Sequence, residues 1–148
     1  MKSIRITIII AIAALILSAC SGGGTTTKLN VVERATTDTV GDVAPEGDSV
    51  GDVLGFANEV YDETNSNKVG ADNGMCVRTQ APGAWECIWT LTLSDGQLTV
   101  EGPFYDTQDS MLAITGGTGA YANARGQMTL HARNAQGTEY DFKYEITK

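Results

Sequence analysis

Histidine is almost missing from this chain of 148 residues: His131 stands alone, beside three cysteines (Cys20, Cys76, Cys87) and three prolines. With so few imidazoles and thiols, neither a zinc cluster nor a histidine-dependent triad can be assembled, and no metal centre is expected. Asp38, Asp42, Glu46 and Asp48 are acidic but lack the spacing of an EF-hand, which leaves a solvated acidic loop. Basic residues are scarce as well. Of 10 Lys and Arg against 18 Asp and Glu, Lys2 and Arg5 fall in an N-terminal leader, so the remaining chain is near −10. A surface of that sign repels phosphates and anionic headgroups, and no nucleic-acid partner is expected. Helical periodicity of useful length and internal repeats are both absent, which excludes helix bundles and solenoids.

The longest apolar run, Ile6 to Leu17, follows Lys2 and Arg5 and is short for a membrane span. It ends in Leu17-Ser18-Ala19-Cys20, the pattern of a bacterial lipoprotein signal, with Cys20 as the lipidation site. The expected organisation is a signal peptide over 1–19, a flexible Gly/Ser/Thr tether over 20–28 and one domain over 29–148. That places the domain in the bacterial cell envelope, touching the membrane through the lipid on Cys20 alone. The other reading is an ordinary signal peptide with an incidental Cys20.

What the chain has in quantity is β pattern. Leu29 to Thr37 alternates Leu29, Val31, Glu33 and Ala35 against Asn30, Val32, Arg34 and Thr36. Parity puts Glu33 on the apolar side. Leu54, Phe56, Asn58 and Val60 share a face of the next strand. Lys68 to Gln80 carries glycine breaks at Gly70 and Gly74. Cys87, Trp89, Leu91 and Leu93 share a face, Asp95-Gly96 is a hairpin turn, and Gly102-Pro103 ends the strand that follows. Met111 to Ile114 stops at Gly116-Gly117-Thr118-Gly119, whose glycines suit a sharp turn. No helix start or Lys-Ser/Thr follows those glycines, so they are not a phosphate loop. Gln127 to Arg133 and a last strand with Tyr140, Phe142, Tyr144 and Ile146 on one face complete about eight strands. The expected fold is all-β, an eight-stranded antiparallel up-and-down barrel, because closure removes exposed edges. Such a barrel is filled by side chains or holds one small ligand.

Ala81-Pro82-Gly83-Ala84 makes a hairpin that brings Cys76 and Cys87 close. In an oxidising compartment they pair; otherwise they are free thiols in the barrel. A strict two-residue turn sets Cys87 opposite Arg78, so a bridge needs a longer loop or a bulge.

Gly102-Pro103-Phe104, Leu112 to Gly119 and Gly126-Gln127-Met128 resemble the allene oxide cyclase and dirigent barrel superfamily, as do Phe56-Ala57-Asn58 and Gly74-Met75-Cys76-Val77 upstream. The resemblance covers roughly residues 29 to 147. It implies a barrel that often trimerises, so a homotrimer is an expectation here. It also implies a catalytic Glu33 on the first strand, with Asn58 holding a water, where the family has Phe-Thr-Asn. Cys76 matches the cysteine of the family's Gly-Ile-Cys-Val. The family's second strand-one asparagine and its proline have no clear counterparts. Phe56, Cys76, Trp89 and Phe104 are the expected ligand-lining residues, with Tyr121 and Tyr140 as further aromatic candidates. The function this suggests is binding of a small hydrophobic molecule and its cofactor-free cyclisation or isomerisation. The alternative is a non-catalytic dirigent-like or ligand-binding scaffold, with Glu33 a rim residue and the aromatics plain core.

Overall fold

A computed structural model describes residues 25–148. The expected signal peptide and the expected lipidation site Cys20 lie outside the described residues. Nine strands follow in order: β1 (Thr26–Arg34), β2 (Thr39–Gly41), β3 (Val53–Asp62), β4 (Lys68–Gln80), β5 (Ala84–Leu93), β6 (Gly96–Tyr105), β7 (Ser110–Gly119), β8 (Arg125–Ala132) and β9 (Glu139–Thr147). From β3 to β9 each strand pairs antiparallel with the next, and β1 pairs with both β9 and β3. Eight strands thus close a barrel with no helix among the described residues. β1 starts at Thr26, so the end of the expected tether is already paired with β9.

The ninth strand is the rest of β1. After Arg34 the chain breaks from the sheet over Ala35 to Asp38, then rejoins the same edge of β3 as β2. The acidic stretch is solvent-exposed, as expected, and within it Asp38 accepts from Asn58 at the break and Asp48 binds Arg78 at the barrel rim.

Side chains sort by parity. Val31, Val60, Leu91, Leu98, Val100, Leu112, Ile114, Met128, Phe142, Tyr144 and Ile146 are buried inside the ring. Burying a Val, Leu, Ile or Phe side chain contributes roughly 1.5–3 kcal/mol each, so this interior carries the stability of the barrel. Inward positions of β4 are different: Gly70, Asp72, Gly74, Cys76 and Arg78, with no large apolar side chain. Gly74 lies opposite Trp89 in the register, and Trp89 Cβ and Cα with Ile88 O occupy the space that the glycine leaves.

Two expectations about turns need correction. Gly116 and Gly117 lie within β7 and pair with β6; the turn comes at its end, where Gly119 takes φ 58° inside the Tyr121 N–H to Thr118 O closure, and the chain continues over Ala120 to Ala124, closed by Ala124 N–H to Tyr121 O. The glycine at 117 is needed for close approach: a Cβ there would stand 2.5 Å from Tyr121 O and 2.6 Å from Gln97 O. Likewise β6 continues through Gly102-Pro103 to Tyr105, and Gly102 takes up the bend with φ 145°.

Cys76 and Cys87 are disulfide-bonded and directly opposite in the β4–β5 register. Both of the devices that the bridge requires are present. Ala81 to Gly83 form a three-residue loop between Gln80 and Ala84, and the register shifts by one between Arg78 and Gln80.

Arg78 ties the rim together. Its guanidinium donates to Asp48 at 2.6 and 2.7 Å and to Asp106 at 2.6 Å, and it lies over the Trp85 ring at 4.6 Å. Asp106 also accepts from Gly83 N–H, so the β4–β5 and β6–β7 loops are held to one charge.

Candidate functional site

The site lies where β1 leaves the sheet. A strand that breaks there strands backbone N–H groups, and Asn58 on β3 satisfies them. Its Oδ1 accepts from Thr36 N–H and Thr37 N–H, both at 3.0 Å, and from Thr37 Oγ1 at 2.9 Å. Three donors on the carbonyl oxygen fix which way the amide faces. Its Nδ2 must then point inward, where it donates to Glu33 Oε1 at 2.8 Å and to Asp38 Oδ1 at 2.8 Å.

Glu33 is 5% exposed and Asn58 1%. The rim reading of Glu33 is thus set aside. Burial, and then the charge of Asp72, push the Glu33 carboxyl well above the usual carboxylate range. Asp72 sits opposite Asn58 in the register, is 1% exposed, and has no hydrogen-bond partner on either carboxylate oxygen. Burial pushes it up to about 7. Two buried carboxyl groups side by side cannot both ionise cheaply, so the pair holds a proton near neutrality.

Glu33 looks into a narrow cavity of about 40 Å³ lined also by Asp38, Leu54, Phe56, Cys76, Cys87, Trp89, Phe104, Leu130, Tyr140 and Phe142. The four residues expected to line a ligand site, Phe56, Cys76, Trp89 and Phe104, are all on this wall. Cys76 is there as half of the disulfide. Phe56 meets Trp89 edge-on at 6.0 Å, and Trp89 lies 5.5 Å from Phe142. Burial, and then the Glu33 charge, push the Tyr140 hydroxyl up to about 12. Tyr121 is elsewhere, in the turn after β7.

Phe104, Leu130 and Tyr140 also form the floor of an outer cleft of about 470 Å³, between the β6–β7 loop and the β8–β9 hairpin. Phe104 and Tyr140 meet edge to face at 5.9 Å and separate the two spaces. His131 borders the cleft, with Nδ1 2.7 Å from Asp109.

Asp72 is the site residue that parity alone could have found. Counting in twos from Cys76 gives Gly74, Asp72 and Gly70, a face of one acid among small residues.

The raised Asp72 carboxyl has a measurable consequence. Its ordinary value is 3.8. The folded state therefore binds a proton that the unfolded chain releases, so this contribution to stability is complete below about pH 4 and is lost as pH rises to about 7. Holding that proton is worth roughly 4 kcal/mol. Carboxylates held low, such as Asp52 by the Ser49 and Val43 N–H groups, act oppositely but at lower pH. Asp72→Asn removes the ionisation and is expected to be more stable than wild type by roughly 2–4 kcal/mol near pH 8, with little difference near pH 4. Urea unfolding across that range checks it; a wild-type curve that climbs from pH 4 to 7 would mean Asp72 is ionised and paired.

Residues 27–135 match the family model for allene oxide cyclase. Among solved structures, the chain is similar to one titled pyocyanin demethylase, with TM-score 0.72 and 24% identity over 82% of this chain and 100% of that one. It is similar to a pterocarpan synthase dirigent protein, GePTS1, with TM-score 0.65 and 19% identity over 82% and 83% of the two chains. An exo-specific intermolecular Diels-Alderase, AbnU, gives TM-score 0.60 and 14% identity over 84% and 100%. At these identities the solved structures speak to the fold.

Proposed function

The chain belongs to the allene oxide cyclase family, and we propose that its cavity binds a small hydrophobic molecule and catalyses a cofactor-free cyclisation or isomerisation. The observation that carries this reading is the Glu33–Asn58 pair: a buried acid, held in one orientation, on the wall of an aromatic cavity. The solved structures with this fold include proteins titled as a Diels-Alderase and a dirigent protein, which supports a barrel used to impose one conformer on a flexible substrate. Holding a near-attack conformer removes entropy from the barrier before chemistry begins. Burial favours the neutral form of Glu33, which then donates its proton to oxygen as charge develops there and recovers it when the product forms. Aromatic faces from Phe56, Trp89 and Phe142 stabilise any cationic character in between.

The cavity's width sets what enters. About 40 Å³ accommodates water or a small group. The reacting end of a larger molecule reaches Glu33 once the Phe104 ring swings aside, while its remainder lies in the outer cleft. The same narrowness favours the second reading, a scaffold without chemistry. The envelope location, through a lipid on Cys20, is part of the proposal.

Native mass spectrometry of protein purified from its own host tests the binding claim. A co-purified small molecule, released on unfolding and quenching Trp89 fluorescence when added back, is expected. Bare mass throughout, with no response of Trp89 to a panel of apolar compounds, would remove ligand binding and catalysis together.

A further inference from the structure

The inner cavity is lined by two carboxyl groups, Glu33 and Asp38, and no Lys, Arg or His lines it among the described residues. A third carboxyl, Asp72, stands behind Glu33 with neither oxygen hydrogen-bonded. Nearby cations are committed elsewhere. Arg78 is held by Asp48 and Asp106, and Arg34 binds Asn65 and lies 3.6 Å from the centre of the Tyr61 ring. The rest of the wall is aromatic or aliphatic, with Phe56, Trp89, Phe104 and Phe142 presenting ring surface.

A carboxylate ligand in this space would meet Glu33 and Asp38 with no counter-charge, and Asp72 stands behind them. An organic cation would meet ring faces and the carboxyl oxygens of Glu33 and Asp38. Resting on the reading that the cavity takes a small apolar molecule, the geometry points to a narrower class: the ligand is a flat or compact organic cation, and carboxylates are rejected.

The groups facing Glu33 are Asp38 from the break after β1, Asn58 from β3, Asp72 from β4, and Tyr140 and Tyr144 from β9; Asp106 lies beyond Tyr140. With acids around it and both tyrosines raised, the site holds a proton when empty. A bound cation displaces that proton to solvent, so its affinity rises with pH until the acid pair is ionised.

Three probes that share a ring separate the possibilities: benzyl alcohol, benzylammonium and benzoate, titrated calorimetrically into the wild-type protein at about pH 5 and about pH 8. Expected at the higher pH is benzylammonium binding at least about tenfold tighter than benzoate, and itself tightening about tenfold or more from the lower pH, while the alcohol is insensitive to pH. Glu33→Gln is expected to reduce the preference for the cation and retain alcohol binding, which also reports that the barrel is intact. Benzoate binding as well as benzylammonium, with the alcohol bound, overturns the charge selection and leaves the apolar cavity standing. Failure of all three to bind overturns both.

Discussion

Replacing Glu33 by glutamine is expected to lower turnover on the cavity's substrate by about 10²–10⁴-fold, the usual contribution of a positioned general acid or base. Glutamine keeps the size of the side chain and an oxygen for Asn58 Nδ2, which now donates to Glu33 at 2.8 Å. Because burial raises the Glu33 carboxyl and favours its neutral form, the neutral amide is a close match in charge as well as in size. Stability should accordingly hold steady or rise, and affinity for a neutral ligand should change by less than about threefold. The split separates proton transfer from support of the fold. Loss of turnover with loss of folding would mark Glu33 as structural, and unchanged turnover on an identified substrate would leave only the scaffold reading.

Gly74→Ala is expected to cost more than about 4 kcal/mol, or to prevent folding. An added Cβ would stand 2.3 Å from Trp89 Cβ and 2.4 Å from Ile88 O, so the clash is with backbone and the root of a side chain, neither of which can swing away. β4 and β5 would have to part at this point, between Asp72 and the disulfide. Gly116→Ala is the matched control. It is also a strand glycine, but a Cβ there meets nothing within 4 Å, and its effect should stay within about 1 kcal/mol. Thermal or urea unfolding of the two variants decides the matter; similar midpoints would mean that Trp89 does not rest on Gly74 as described.

Strand parity made much of this legible before any coordinates. Glu33, Phe56, Asn58 and Trp89 point inward because alternate side chains on a strand must, and apolar neighbours two residues away say which side is inside. Glycine misled. In Lys68 to Gln80 it reads as interruption, yet Gly70 and Gly74 keep the strand continuous and give up their volume to the Thr92 carbonyl and to Trp89 across the sheet. Reading them as breaks hid Asp72 between them. Gly117 misled in the same way, because a demand for space between backbones has no local signature distinct from a demand for positive φ. The Arg78 cluster was invisible for another reason: its partners are 28 and 30 residues away, and only barrel closure brings Asp48 and Asp106 together.

The ring is fastened at β1–β3 by four paired residues, Val31 to Arg34 with Glu59 to Asp62, whereas β1 and β9 pair along nine. Beyond that short join, Asn58 acts as a clasp, stitching the departing chain to β3 with one end of its amide and presenting an acid with the other. The orientation of Glu33 and the attachment of the departing chain to β3 therefore share one side chain. A change at Asn58 would reach the attachment of Thr36 and Thr37 and the setting of Glu33 together.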